Sequence, residues 1–298
     1  MIRLGLCCGF VQESIKFRTT TVKAAMQLTV ENRNRKLAKL CQENAHSLRK
    51  AIEFCHAHNI GCFRVNSQIL PLKTHSECGY EVDALPEGTQ IMEELQQCGR
   101  IAKQHDIRLT FHPDQFVVLS SPREEVVANS IAELEYQAEV AEWIGADCVN
   151  IHGGGAYGDK PAALARFATN LGRLSDRTRS RLTIENDDKT YSAQDLLPFC
   201  RQEGLPLVYD VHHHRCNADR LTIAEATTAA LETWDREPLF HVSSPLEGWS
   251  GPKPQRHHDY VDIRDMPQEW RSLDITVEVE AKAKELAVLQ MQRALNEA

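Results

Sequence analysis

Thirteen histidines occur in the 298 residues, and nine of them fall where short apolar segments end: His75, His112, His152, His212, His213, His214, His241, His257 and His258. Glu185, Asp210 and Glu280 stand at comparable points. Imidazole and carboxylate together form the ligand set of Zn, Mn and Fe sites. A single histidine at a strand end is more often a hydrogen-bonded rim residue, and a single Glu there can be a helix-terminus neighbour. Six consecutive predicted strands, the third to the eighth, nevertheless each end in His, Asp or Glu. Gathering those charges in one buried place without a cation would be costly. A multi-metal site follows as the expectation. Such a site suits hydrolysis, and equally the isomerisation of an aldose. Spacing alone leaves both open.

The segments that must position these groups alternate between two types. Strands are predicted at Ile2–Cys7, Cys62–Asn66, Ile107–Phe111, Cys148–Ile151, Leu182–Ile184, Leu207–Tyr209, Leu239–Val242 and Ile275–Val279. Most are short apolar runs, as expected of strands buried on both faces of a parallel sheet. Helical spacing marks Asn34–His58, Glu124–Ile144, Pro161–Leu174, Ser192–Glu203, Thr222–Trp234 and Ala281–Leu295. Eight strands with crossover helices predict a single α/β domain over residues 1–298, a TIM (β/α)8 barrel with its active site at the C-terminal ends of the strands. Gly and Pro cluster at Pro245–Pro254, a loop long enough to suggest function. Gly153–Gly155 is either a close approach for a phosphate or a tight turn. His46, His56, His58 and His105 lie on or beside polar helices and are expected to be solvated.

Composition sets outer limits. Hydrophobic residues make up 42% and charged residues 26%, which supports a large core. No apolar run reaches the roughly 18 residues of a membrane span, and the N-terminus lacks a signal-peptide pattern, so a cytoplasmic protein is expected. Ten cysteines without a CxxC pair fit reduced thiols, with Cys7 and Cys8 as small core residues. The net charge of −8 excludes bulk electrostatic coating of DNA but not a local basic groove. Arg18, Arg64, Lys73, Arg123, Lys160, Arg215, Lys253 and Arg256 are the loop and strand-end cations available to phosphates, unless they serve as ordinary surface charges.

The motifs as an ordered set resemble the UV damage endonuclease family. They are Ile2-Arg3-Leu4-Gly5, Phe17-Arg18-Thr19-Thr20-Thr21, Phe63-Arg64-Val65, His112-Pro113-Asp114-Gln115-Phe116, His152 through Gly158, Glu185-Asn186-Asp187, Asp210-Val211-His212-His213, His241-Val242-Ser243-Ser244, His257-His258-Asp259-Tyr260 and Glu280 through Glu285. The resemblance implies a metal-dependent DNA repair endonuclease on a TIM barrel. It would cut immediately 5′ to a UV-damaged nucleotide, leaving a 3′-hydroxyl and a 5′-phosphate. It implies two or three divalent ions, manganese first, with Zn, Fe or Co as alternatives. The implied ligands are His75, His112, His152, Glu185, Asp210, His213, His241, His257 and Glu280, with His152, Glu185, His241 and Glu280 central to catalysis. Gln115, Phe116, Tyr157 and Arg64 are the implied DNA contacts. Damaged duplex is the implied partner, to a monomer with no membrane association and no nucleotide cofactor.

Three positions depart from that pattern. Leu239 stands where the family can carry a modified lysine, so no carboxylated lysine can bridge metals there. Phe116 replaces a wedge tyrosine and keeps its stacking face. Leu6 stands where an aromatic residue can probe the lesion. These departures keep a second reading in view, a metal-dependent isomerase, epimerase or oxidase acting on a small molecule in a closed pocket. A non-catalytic binding protein is disfavoured by the nearly complete ligand set, which would burden stability if left unpaired.

Overall fold

A computed structural model describes residues 2–297 of the chain. Eight parallel strands close into a barrel in sequence order. They are β1 (Ile2–Cys7), β2 (Cys62–Val65), β3 (Arg108–Phe111), β4 (Cys148–His152), β5 (Leu182–Glu185), β6 (Leu207–Asp210), β7 (Leu239–Val242) and β8 (Ile275–Val279). The helices are α1 (Val22–Met26), α2 (Val30–Ala57), α3 (Gly88–Gln104), α4 (Glu124–Ile144), α5 (Lys160–Leu171), α6 (Asp176–Arg179), α7 (Ala193–Glu203), α8 (Val211–Cys216), α9 (Ile223–Leu231) and α10 (Glu285–Glu297). All eight expected strands form, and β4, β5 and β6 each run one residue further than expected, to include His152, Glu185 and Asp210. Those polar residues continue the ladder because their neighbours pair with them: His152 opposes Glu185, and Asp210 opposes His241.

Local chemistry explains where the helices start. Thr29 accepts a hydrogen bond from the Asn32 amide, so α2 begins at Val30, ahead of the expected Asn34. Its inward stripe, Leu37, Cys41, Ala45, Leu48, Ile52 and Cys55, is buried at spacings of three and four. Thr222 with Glu225 and Ser192 with Asp195 form reciprocal capping boxes at α9 and α7. The last helix begins at Glu285 and not at Ala281, because the intervening backbone is used elsewhere. The Lys282 and Ala283 amides donate to the carbonyls of His258 and Asp259, tying the end of β8 to the loop after β7. Neither α3 nor α8 was bounded by the sequence pattern; α8 carries His212–His214.

The helical layer also shapes loops at the C-terminal ends of the strands. Asn44 is buried on α2, accepts from the Arg18 amide at 2.6 Å, and donates to the Arg18 and Ile69 carbonyls at 2.9 Å each. Phe17 through Thr21 is therefore pinned to the loop after β2. The glycine triplet is a tight turn: a Cβ on Gly153 would sit 2.7 Å from the Tyr191 ring, and Gly154 has φ +80 with Ser120 Oγ 2.5 Å from where a Cβ would be. At the opposite end, Arg3 bonds Glu237 and Asp106, and Arg108 grips Asp147 with two bonds of 2.9 and 3.0 Å.

All ten cysteines are unpaired, as expected. No helix among the described residues is long and apolar enough to cross a membrane. Leu48 lies fully buried where α2 meets the barrel. Leu48→Ala should cost about 2–5 kcal/mol in a urea unfolding titration, the range for cavity-forming core truncations. A loss under about 1 kcal/mol would mean that α2 packs less tightly than its burial indicates.

Candidate metal centre

The strand ends bring their polar groups to one point. Glu185, Asp210 and His241 are fully buried there. His112 Nε2 lies 2.9 Å from Glu185 Oε2, which also accepts from Asn150 Nδ2 at 2.6 Å. Glu185 Oε1 faces His213 Nδ1 at 3.1 Å and His241 Nδ1 at 3.2 Å. Asp210 Oδ2 lies 3.5 Å from His213 Nδ1, and Glu280 Oε1 lies 3.5 Å from His241 Nδ1. Three sets converge closely enough to hold a cation: His112, His152 and Glu185; His112, His241 and Glu280; Glu185, Asp210 and His213. Glu185 and His112 each belong to two sets, the geometry of ligands shared between neighbouring ions.

These groups fit a metal on their own chemistry. Glu185 Oε1, Asp210 Oδ2, His241 Nδ1 and His152 Nδ1 are buried without a hydrogen-bond partner. Orphaned acceptors of this kind cost about 1–3 kcal/mol each, more when charged, and a cation would satisfy them together. Protonation behaviour points the same way. Burial opposes charge on Glu185, yet His241 and His152, with bonds from His112 and His213, hold its carboxyl well below the usual range. Burial likewise opposes charge on Glu280, but Arg64, His241 and His257 hold it well below. Burial works against charged His213, but Asp210 and Glu185 push it well above the ordinary value. His241 is pushed up to about 10, with burial again overcome by Glu185. His152 goes the other way, lowered chiefly by burial. Imidazolium protons thus stand where cations would bind.

Surrounding groups set which ring nitrogens are free. His112 Nδ1 lies 3.0 Å from the Pro113 carbonyl and His213 Nδ1 lies 3.0 Å from the Asn186 carbonyl; with a proton on each Nδ1, a cation would be met by Nε2. Asn186 also clamps β6, donating to the Asp210 carbonyl at 2.9 Å and accepting from its amide at 3.0 Å. Asp187 shapes the loop that follows by accepting from the Lys189 and Tyr191 amides. The Glu185-Asn186-Asp187 motif therefore supplies a buried carboxylate, a clamp and a turn.

Seven of the nine expected ligands fall within the three sets, and His257 borders them through Glu280. His75 does neither: it borders the cleft beside His152 and His213, its Nδ1 accepts from the Glu77 amide at 3.2 Å, and it belongs to none of the three sets among the described residues. In the histidine run, His213 faces the carboxylates. His214 turns away to Tyr209 Oη and Asp219, and His212 is covered by Trp249 from the loop after β7, ring centroids 5.0 Å apart. His257 points towards Glu280, Nδ1 to Oε2 3.6 Å, whereas His258 Nδ1 accepts from the Tyr260 amide. The solvated reading holds for His46, His56 and His58; His105 is half-buried, its ring stacked on His56.

The expected DNA contacts divide. Gln115 and Phe116 project from the loop after β3, Phe116 being 76% exposed. Tyr157 is half exposed, held at φ 51, with the Arg166 guanidinium 5.6 Å over its ring. Arg64 is a correction. It is 7% exposed inside the barrel, bound to Glu278 and Glu280, and its placement leaves nothing to offer a duplex phosphate. Among the other cations, Lys73, Lys160, Arg215 and Arg256 pair with nearby acids, while Arg18, Arg123 and Lys253 make no ion pair among the described residues. Leu6 is fully buried in the core and Leu239 packs with Cys148 and Val208, so neither faces the cleft. Glu278 is a further polar group of the site: Thr276 and Glu278 of β8 and Glu280 just beyond it share one parity, and the period of two puts them on one face. The mouth opens into a cleft of about 1190 Å³ lined by His75, Gln115, Phe116, His152, Tyr157 and His213, with Lys73, Arg123 and Lys189 on its walls.

Comparison with known proteins agrees with the fold. The chain is 33% identical over 292 residues to a UV DNA damage endonuclease of Bacillus velezensis, covering 94% of this chain and 88% of that one. It is 31% identical over 290 residues to a UV DNA damage endonuclease of Bacillus thuringiensis, covering 94% and 89%. The crystal structure of SacUVDE superposes with a TM-score of 0.89 at 28% identity, over 100% of this chain and 99% of that one. Endonuclease IV from Thermus thermophilus shares the fold, with a TM-score of 0.63 at 15% identity over 99% and 98%. The profile of the family described as UV-endonuclease UvdE matches residues 2–298, and the chain belongs to that family.

Proposed function

We propose that this chain is a metal-dependent DNA repair endonuclease that hydrolyses the phosphodiester immediately 5′ to a UV-damaged nucleotide. The observation that carries the reading is the convergence of seven histidine and carboxylate groups in three cation-sized sets, with orphaned acceptor atoms among them, beside an open cleft that His152 and His213 line. Two or three divalent ions held by His112, His152, Glu185, Asp210, His213, His241, His257 and Glu280, with manganese first and Zn, Fe or Co as alternatives, would polarise the phosphodiester and supply an activated water. Glu185 is fixed by Asn150 and His112, so its two oxygens serve different ligand sets from one rigid position. His152 and His241 flank it, and Glu280 closes the far side. Gln115 and Phe116 would enter the duplex opposite the lesion, with Tyr157 against the displaced bases. His75 would join the ions only after movement of its loop.

The relatives' names support a DNA substrate, and so does the cleft. A closed pocket for a small molecule typically measures about 300–1,000 Å³. This cleft is larger and open to solvent, and it presents an exposed phenylalanine at its rim.

An end-labelled duplex with one pyrimidine dimer tests the reading. With Mn²⁺ we expect a single cut immediately 5′ to the dimer, none in the undamaged control, and none with EDTA. Glu185→Gln should lower nicking by about a hundredfold or more, the scale of losing a group that stabilises transition-state charge. Absence of a cut from metal-loaded protein would sink the DNA reading.

Phe116→Ala should weaken binding to the damaged duplex by roughly 1–3 kcal/mol, the usual contribution of one stacked base, with metal content unchanged. Equal affinity in a fluorescence titration would remove Phe116 from the lesion contact.

Metal uptake should also release protons. His213 and His241 are held protonated at pH 7 in the metal-free protein and must lose a proton to coordinate. Apparent affinity should therefore rise with pH up to about 10, where His241 loses its proton. Calorimetry in buffers of different ionisation enthalpy would detect the released protons; none released would contradict the assignment of these two histidines.

A further inference from the structure

Beneath the ligand sets lies a carboxylate with no role so far. Glu278 of β8 is 1% exposed and opposes His241 in the β7–β8 register. Its Oε1 accepts from Thr110 Oγ1, with Cys62 Sγ 3.9 Å away. Its Oε2 accepts from Arg64 Nε at 2.5 Å, and His241 Nε2 lies 3.0 Å from the same oxygen. Arg64 Nη2 is 2.9 Å from His241 Nε2. A guanidinium only donates, so that short contact has two explanations: Nε2 accepts from Arg64, or both groups crowd one acceptor. Arg64 Nη2 is itself paired with Glu278 Oε2, so Arg64 and His241 are drawn to one oxygen. The other ring nitrogen decides between the two. His241 Nδ1 is buried with no hydrogen-bond partner and faces Glu185 Oε1 at 3.2 Å, Glu280 Oε1 at 3.5 Å and Asp210 Oδ2 at 4.0 Å. Three carboxylate oxygens around a ring nitrogen are the surroundings of a metal ligand, and the proton then belongs on Nε2.

We propose that Glu278 is a positioning residue: it accepts a hydrogen bond from the Nε2–H of His241 and fixes the tautomer that presents Nδ1 to a divalent cation shared with Glu280. Arg64 serves the same arrangement. It bonds Glu278 and, through Nη1 at 2.6 Å, Glu280, so one buried cation orients both the ligand and the group behind the other ligand. A carboxylate that accepts from a metal-bound imidazole raises its basicity and locks its ring. A buried ion pair with no such task gains little over aliphatic packing, which fills the adjacent layer at Leu239, Val208 and Cys148. The inference rests on the metal reading above.

The test has two arms. In the first, Mn²⁺ affinity is measured by competition with a chromophoric chelator for the wild type, Glu278→Gln and Glu278→Asp, and the thermal midpoint is recorded without metal. The wild type should bind; Glu278→Gln should bind about 10–100-fold more weakly while still folded, and Glu278→Asp should recover part of the loss. Wild-type affinity in folded Glu278→Gln, with only its metal-free midpoint changed, would make Glu278 merely structural and overturn the proposal. In the second arm, needing no variant, long-range ¹⁵N–¹H spectra of histidine-labelled, Zn²⁺-loaded protein should show His241 protonated at Nε2 and coordinated through Nδ1. The opposite tautomer would overturn the proposal even if every variant misfolded. A wild type that binds no metal would instead remove the metal reading itself, and this inference with it.

Discussion

The structure turns on the burial of the Glu185 carboxylate. A carboxylate taken fully out of water is tolerated only when surrounding charge and hydrogen bonds replace its hydration. Here the replacements are Asn150, His112, His213 and His241, from β4, the end of β3, α8 and β7. Each of these elements must hold its register for the charge to be tolerated. A slip of one residue in any strand would turn its polar residue out of the barrel and an aliphatic one in. The electrostatics of the mouth and the closure of the barrel are therefore one constraint.

That constraint accounts for the polar groups that are not ligands. Asn186 brackets β6 through both main-chain groups of Asp210, which keeps the carboxylate aimed inward. Arg64 lies against Glu278, Glu280 and His241 and supplies fixed positive charge where two carboxylates would otherwise repel. Protons on His213 and His241 supply the rest in the absence of a cation. Protons and divalent ions would compete for one set of lone pairs, so the charges that offset the buried carboxylates would also tune how tightly ions are held.

Much of this was legible in the residues. Short apolar runs ending in His, Asp or Glu marked both the barrel and its catalytic rim, because a parallel strand buried on both faces has only its ends free for polar chemistry. His112, His152, Glu185, Asp210, His213, His241 and Glu280 follow from that rule. What failed depended on direction more than position. Arg64 at the end of β2 reads as a surface cation, yet its side chain turns into the barrel, where Glu278 and Glu280 await it. Glu278 was passed over because a charged residue inside an apolar strand looks like an interruption, although its parity with Glu280 places it in the barrel. His75 follows β2 in sequence but sits in a turned loop, its Nδ1 held by the Glu77 amide; a loop's path is not encoded in strand spacing.

The net charge of −8 then bears on how such a protein would meet a polyanion. Long-range attraction cannot supply most of the affinity, since several candidate cations are paired with neighbouring acids. Under the proposed function, binding energy would come from close contact: stacking by an aromatic side chain already in solvent, and coordination of phosphate oxygens by any ions held in the mouth. Phe116 has the required exposure, and ordering it costs little because few torsions must be fixed. Recognition built on insertion also favours duplexes that open easily, since unstacking is the main cost and a damaged step has already lost part of its stacking. Selectivity for damage would then follow from the weakness of the charge field itself: an acidic surface gives intact duplex little reason to stay long enough to be opened.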